Sequence, residues 1–296
     1  MLREADAALP GVLELSMLSV GTFAASCCPM PMITHGRSDR RGTARRPATW
    51  RACVTSLALG LATLAAAPAA WGQGIDHAPF DALLKANVNN GVVNYPGFQG
   101  SASFRKYIDD LARPVQLDAP GDKLAYYINA YNALAIQGIL DGLSPSSLFG
   151  RLRYFKLREW PLNGQTVTLY DLEHKFIRPL GEPRIHFAII CASKSCPFLR
   201  PEAYASARLD RQLDEQARQF VNDTFRNRFD KATRTATLSE IFKWFDEDFT
   251  PVAGSTPRYV ARYVADPEVA KDLAADAYKI DFIAYDWNLN GMPPTR

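Results

Sequence analysis

One stretch of the chain constrains the fold more than any other: the run DKLAYYINAYNALAIQGIL at residues 122–140. Its apolar and aromatic residues recur at every third or fourth position, which is the spacing of one face of an α-helix. These residues are Leu124, Tyr127, Ile128, Tyr131, Leu134, Ala135 and Ile139. So broad an apolar face predicts a central, buried helix.

Two asparagines, Asn129 and Asn132, interrupt this apolar run three positions apart. At least one amide should face inward, where an unpaired polar group costs about 1–3 kcal/mol. Our first interpretation is that both amides bind the backbone of neighbouring loops, because most buried side-chain amides do so. The alternative is that Asn129, Asn132 and the neighbouring Tyr131 line a pocket and bind a ligand.

Residues 1–72 have the three-part pattern of a secretory signal peptide. An arginine-rich segment at 37–51 precedes the apolar run CVTSLALGLATLAAAPAA, and small residues follow as far as Gly72. We therefore expect residues 1–72 to be removed and the remainder to be periplasmic or secreted, with no stable membrane insertion. An uncleaved anchor is the alternative, although the apolar run barely reaches the length of a spanning helix.

The remaining residues, 73–296, have the size of one ordinary domain. The chain has 34 basic and 31 acidic residues, and residues 1–72 hold seven Arg, no Lys and four acidic residues. Residues 73–296 therefore carry 27 charges of each sign, which leaves no basic field to attract nucleic acid.

Helical patterns outnumber strand patterns in this part. We predict helices around Phe80–Leu84, around Phe104–Leu111, and at 122–140, 170–178, 206–221, 259–264 and 268–277, with Ser239 as the N-cap of another. Strands are predicted at 154–157 and 167–169, on either side of a hairpin turn at Asn163–Gly164, and at 185–190, with a second hairpin at 229–238. The fold class is α+β: a mainly helical single domain around a small β-sheet.

The segment RIHFAIICASKSCP, residues 184–197, concentrates the residues that could carry chemistry. Its apolar part predicts a buried strand, and the loop after it holds Cys191 and Cys196, the two cysteines of residues 73–296. In an exported protein a disulfide between them is the leading interpretation. A thiol nucleophile is the second, and zinc the third, because C-x4-C is poor metal spacing. We expect no metal and no cofactor.

A thiol nucleophile needs a histidine base and an orienting group. His174 and His186 are the candidate bases for Cys191, with Glu173 as orienter. Strand alternation would place His186 and Cys191 on opposite faces, so His174 is the freer candidate. The expected pocket lies between the 122–140 helix, Glu173 and His174, and residues 184–194, where Arg184 and Lys194 would bind a ligand. The acidic run at 246–248 is interpreted as a solvated face.

Five sequence blocks occur together in one order: DKLAYYINAYNAL, VTLYDLEHKFIR, RIHFAIICASKSCP, LSEIFKWFDEDF and YDWNLN. In this order and spacing, residues 73–296 resemble the domain of unknown function 547 family over nearly their whole length. The resemblance implies a bacterial, exported, single-domain member, and it implies no particular reaction.

Three functions therefore remain open. The leading hypothesis is recognition of a small polar or peptide-like ligand in the cell envelope, with structural cysteines. The second is a cysteine- and histidine-dependent amide hydrolase or acyl transferase of papain-like or transglutaminase-like type. The third is a scaffold or interaction domain without a ligand site.

Overall fold

The structure is a computed structural model that describes residues 74–295. The predicted signal peptide lies outside these residues, so its removal, the export of the protein and the domain boundary at residue 72 stay predictions.

Helices form most of the ordered elements. The α-helices are α1 (Ala78–Asn87), α2 (Ala102–Ala112), α3 (Pro120–Leu140), α4 (Leu148–Arg151), α5 (Leu169–Asp171), α6 (Leu209–Val221), α7 (Glu240–Trp244), α8 (Asp246–Ala253), α9 (Thr256–Ala261) and α10 (Pro267–Ala274). Helices α4 and α5 continue into π-helical turns at Leu152–Leu157 and Leu172–Ile177, and 3-10 turns lie at Tyr95–Gly97, Arg178–Leu180, Pro183–Phe187 and Ser206–Arg208. Within residues 74–295, no helix has the length and apolar character needed to cross a membrane.

The strands are short and lie in three small sheets. They are β1 (Val88–Asn89), β2 (Val92–Asn94), β3 (Glu159–Leu162), β4 (Gln165–Thr168), β5 (Arg228–Asp230), β6 (Thr235–Ser239), β7 (Lys279–Ile283) and β8 (Gly291–Met292). The sheets have the orders β1-β2-β8, β3-β4 and β5-β6-β7, with β2–β8 and β6–β7 parallel and the other pairs antiparallel. The predicted α+β class is confirmed, although the strands form three sheets rather than one.

Helix α3 is buried on every side. Fifteen of its 21 residues are buried, and all residues from 124 to 136 belong to this set, so the burial is not limited to one face. A helix in this environment must satisfy its polar side chains inside the protein. Tyrosine hydroxyls in the same core do so on main-chain carbonyls: Tyr126 donates to Leu111 O at 3.1 Å, and Tyr154 donates to Ala135 O at 2.8 Å.

The two asparagines of α3 each hold one loop. Asn129 Nδ2 donates to Tyr204 O at 2.8 Å, and the Tyr204 N–H donates to Asn129 Oδ1 at 2.8 Å. Asn132 Nδ2 donates to Ala188 O at 3.0 Å, and the Ile190 N–H donates to Asn132 Oδ1 at 2.9 Å. Both side chains are buried, as the first interpretation of these residues expected.

The strand predicted at 185–190 is wrong. The segment begins as the 3-10 turn Pro183–Phe187 and then runs irregularly, although Ile185, Ile189 and Ile190 are buried as an apolar run should be. Its main-chain groups are bound by side-chain amides, from Asn132 and from Gln216 Nε2, which donates to Phe187 O at 3.3 Å. These bonds replace the ladder that a strand would need.

Most of the other sequence predictions are confirmed, with shifted boundaries. The strand predicted at 154–157 is wrong, because these residues lie in the π-helical turn after α4. The Asn163–Gly164 turn does join a hairpin, formed by β3 and β4. Ser239 caps α7, since its side chain accepts the Ile241 N–H at 3.3 Å.

The Asn132 contacts predict a specific loss of stability. The change Asn132→Ala leaves the Ile190 N–H and the Ala188 carbonyl without partners in the core, so the free energy of unfolding should fall by about 1–3 kcal/mol. The measurement is chemical denaturation. Gln137→Ala is the control on the same helix, because the Gln137 amide binds Asp141 at an exposed position and should matter little. Equal stability of the two variants would contradict the prediction.

Candidate functional site

An ion pair joins the first turn of α8 to the end of the π-helical turn after α5. The Arg178 guanidinium holds the Asp248 carboxylate with two hydrogen bonds, Nε to Oδ2 at 2.7 Å and Nη2 to Oδ1 at 2.9 Å. Arg178 Nη2 also donates to Glu247 Oε1 at 2.6 Å. Such a two-pronged contact fixes the orientation of the carboxylate as well as its charge.

Asp248 also binds His186, whose Nε2 lies 2.6 Å from Asp248 Oδ2. Burial lowers the pKa of His186 to about 4, even though Asp248 favours the charged imidazolium. Partial burial opposes ionisation of Asp248, but its bonds to His186 and Arg178 hold its pKa below the usual range. Because Asp248 is then an acceptor and the imidazole is neutral, we assign the proton of His186 to Nε2.

Glu173 lies on the other side of the His186 ring. Its Oε1 is 4.0 Å from His186 Nδ1, and Tyr131 of α3 provides a hydrogen bond. Burial raises the pKa of Glu173 to about 7, and this effect outweighs the favourable charge of Arg178. The His186 ring is held in place by Phe245, which stacks on it with the ring centres 3.9 Å apart. A line of polar side chains therefore runs from α3 to the surface, in the order Tyr131, Glu173, His186, Asp248 and Arg178.

The surface end of this line opens into a pocket of about 210 Å³. Its charged lining is Arg178, Glu182, Glu247 and Asp248, and its apolar lining includes Ile185 and Val252. We call this the Arg178 pocket. Arg184 borders it through Glu182, which it binds with Nε at 2.9 Å and Nη2 at 2.7 Å.

The two cysteines lie elsewhere in the core and are free thiols. The Cys191 N–H donates to Cys196 Sγ at 2.6 Å, and Cys191 Sγ lies 2.9 Å from Ser193 Oγ and 3.1 Å from the Tyr285 hydroxyl. Burial alone would raise the pKa of Cys191, but hydrogen bonds from Cys196, Ser193 and Tyr285 lower it to about 7. Burial raises the pKa of Cys196.

The disulfide expected between Cys191 and Cys196 is not formed in this structure, and the pairing stays a prediction. Neither sulfur has a hydrogen bond to any of the described histidines. Cys191 Sγ is beside hydroxyl groups, and His186 binds Asp248 instead. His174 has a hydrogen-bond partner of its own, different from those of the cysteines and of His186. Its Nδ1 lies 3.1 Å from Tyr170 O, and its ring stacks on that of Tyr170. The described residues contain no cluster of three or more His, Cys, Asp or Glu able to hold a metal ion.

The structure thus brings together three of the candidate residues, Glu173, His186 and Tyr131, and Arg184 borders the pocket beside them. The hydrogen bonds of Cys191 and Cys196 are made with other residues. Asn129 and Asn132 hold loops, and Lys194 is exposed in the cysteine loop. Sequence reasoning missed Arg178 and interpreted Asp248 as part of a solvated face. Both residues lie within the blocks that carry the family resemblance, VTLYDLEHKFIR and LSEIFKWFDEDF, which was the available signal.

Residues 115–221 match the model of the family described as "Protein of unknown function, DUF547". No curated protein and no solved structure matches the chain. The DUF547 match includes α3, Glu173, Arg178, His186 and both cysteines, whereas Asp248 lies beyond its end.

The raised pKa of Glu173 predicts how stability depends on pH. The folded-state pKa of about 7 exceeds the ordinary value of 4.5, so the folded protein binds the extra proton and loses stability as pH rises from 4.5 to 7. Glu173→Gln cannot ionise. The stability of this variant relative to the parent should therefore rise over this window, by about 3 kcal/mol at most.

Denaturation curves between pH 4.5 and 8 measure this difference. Tyr131→Phe removes the hydroxyl that binds Glu173 but keeps the carboxyl group, so it should retain the loss of stability with rising pH. A difference between Glu173→Gln and the parent that does not change with pH would contradict the pKa shift.

Proposed function

We propose that the protein recognises a small polar or peptide-like ligand at the Arg178 pocket. The observation that supports this is a concave site lined by charged side chains, one of which, Asp248, is fixed by contacts with the protein. Asp248 is oriented by Arg178 and His186, so its position is set before any ligand arrives.

The size of the pocket limits the ligand. At about 210 Å³ it is smaller than the roughly 300–1,000 Å³ of pockets for drug-sized molecules. It can accommodate one end or one residue of a peptide-like molecule. The charged lining has three carboxylates and one guanidinium, and Arg178 already binds Asp248 and Glu247, so the ammonium end of a peptide is the end that matches this lining.

One observation favours the cysteine enzyme: the pKa of Cys191 is lowered to about 7, which increases the thiolate fraction. However, Cys191 has no exposed surface, and its polar neighbours are hydroxyl groups rather than an imidazole. A covalent mechanism needs a thiolate that a substrate can reach and a base beside it. Ligand recognition is therefore the function that the geometry supports better.

Export is part of the proposal, and it rests on the leader pattern of residues 1–72. In the periplasm or outside the cell, Cys191 and Cys196 would be oxidised to a disulfide. The contact between the Cys191 N–H and Cys196 Sγ supports this pairing, because it holds the two residues side by side. The disulfide would then fix the loop between them.

Ligand recognition is tested with the dipeptide L-alanyl-L-alanine in isothermal titration calorimetry. Binding should be saturable, and Glu247→Gln should weaken it roughly tenfold or more, because a hydrogen bond to a charged group contributes about 1.5–3 kcal/mol. Glu159→Gln changes an exposed glutamate outside the pocket and should leave the affinity unchanged. The control ligand is N-acetylalanine methylamide, which lacks both charged ends and should bind poorly. Absence of dipeptide binding would favour the scaffold hypothesis.

The two interpretations of the cysteines predict different thiol counts. Protein recovered from the exported fraction without reductant, then denatured and treated with iodoacetamide, should show no alkylated cysteine by mass spectrometry. The same sample after reduction should gain two labels, and Cys191→Ser and Cys196→Ser should have similar effects on stability. Rapid labelling of one cysteine in the native protein would instead support the thiol enzyme.

A further inference from the structure

A second concave surface lies outside the Arg178 pocket. The end of α1, the β1–β2 hairpin and β8 surround a groove of about 660 Å³. Its lining includes four asparagines, Asn87, Asn89, Asn90 and Asn94, and five apolar residues, of which Val92 and Met292 are the exposed large ones. We call it the asparagine groove.

We propose that the asparagine groove binds a neutral saccharide. This site is separate from the Arg178 pocket, so the inference does not depend on the ligand proposed there.

The neutral side-chain amides of the lining match the hydroxyl groups of a sugar. A side-chain amide both donates and accepts hydrogen bonds, as the hydroxyl groups of a sugar do. Lys85 is the one charged residue in the described lining, and its ammonium group is bound by Asp81 Oδ2 at 2.5 Å. The groove therefore offers many neutral donors and acceptors and little net charge, which favours an uncharged ligand.

The apolar lining complements the C–H surfaces of a sugar ring. The exposed fractions of Val92 and Met292 are 50% and 54%. The two side chains belong to neighbouring strands, since β2 and β8 are paired. Burial of this apolar surface under a ligand would add to the hydrogen bonds made by the amides.

The amides at the base of the groove are held in place. Asn87 Nδ2 donates to Leu83 O at 3.0 Å, and Asn94 Nδ2 donates to Asn87 Oδ1 at 3.1 Å. Gly97 makes this arrangement possible, because a Cβ at that position would lie 1.6 Å from Asn87 Oδ1. The absence of a side chain at Gly97 therefore leaves room for the Asn87 amide.

One acceptor at the wall of the groove is left over. Asn94 Oδ1 is buried and has no hydrogen-bond partner among the described residues. Such an acceptor costs about 1–3 kcal/mol until a donor reaches it. A hydroxyl group of a ligand would supply the missing donor.

The hairpin presents its two exposed asparagines in a defined conformation. Asn90 and Gly91 have left-handed φ angles of 48° and 76°, as the tight turn requires. Asn290 Nδ2 donates to Gly91 O at 2.9 Å and ties the turn to the chain beside β8. The ordering of Asn89 and Asn90 is therefore largely complete before a ligand binds.

A peptide strand fits this groove less well. Recognition of an extended peptide relies on a run of main-chain hydrogen bonds along a sheet edge. Strands β1 and β8 form the two edges of this sheet, and each has two paired residues, Val88 and Asn89 in β1 and Gly291 and Met292 in β8. So short an edge offers little main-chain pairing, and the recognition groups of the groove are side-chain amides.

The experiment is calorimetric titration of the full chain with the neutral sugars maltotriose and N,N′,N″-triacetylchitotriose, and with N-acetyl-trialanine methylamide as the peptide, whose blocked ends should not suit the Arg178 pocket. At least one trisaccharide should bind, and the capped peptide should not. Asn89→Ala and Asn90→Gly should each weaken trisaccharide binding roughly two- to tenfold, because each removes one hydrogen-bonding amide. Asn90→Gly keeps the left-handed turn conformation.

The control is Asn288→Ala, which removes an exposed asparagine outside the groove and should leave binding unchanged. Thermal melts of all variants verify that the fold is retained, and the exposed positions of Asn89 and Asn90 favour this. The proposal is overturned if the capped peptide alone binds, if none of the three ligands binds, or if both hairpin variants bind a trisaccharide as the parent does.

Discussion

The architecture depends on two amides that lie in an otherwise apolar helix. Helix α3 is buried on every side, and a buried polar group without a partner costs more free energy than a single hydrogen bond usually contributes. Asn129 and Asn132 resolve this cost by binding a carbonyl and an N–H of one loop each. The loops around Tyr204 and Ala188 are thereby placed against the centre of the core.

The Arg178 pocket follows from this placement. The loop that Asn132 holds begins with the 3-10 turn containing His186, so the buried helix sets the depth of that ring. His186 then meets Asp248 from α8, and Arg178 binds the same carboxylate from the surface side. Arg178 and His186 lie eight residues apart and bind the same carboxylate, which comes from more than sixty positions further along the chain, and the pocket forms where these segments meet.

Two predictions about the site were wrong, and both failed because distant residues supply the contacts. The run IHFAII has the composition of a buried strand, and the residues are buried. The assignment of faces by strand alternation was nevertheless wrong, because Asn132 and Gln216 supply the hydrogen bonds that a neighbouring strand would have supplied. Asp248 was misjudged for a related reason: adjacent acidic residues suggest a solvated face until an arginine and a histidine from other segments are placed beside one of them.

The sequence by itself determined the elements whose signals are local. The apolar periodicity of 122–140 predicted α3, Asn163–Gly164 predicted a hairpin turn, and Ser239 predicted a helix start, because each depends on neighbours a few residues away. The tertiary structure alone decided the partners of Asn132, the ring position of His186 and the ion pair of Asp248 with Arg178. Those contacts join residues more than fifty positions apart, and no local pattern encodes which distant backbone or side chain will meet a buried polar group.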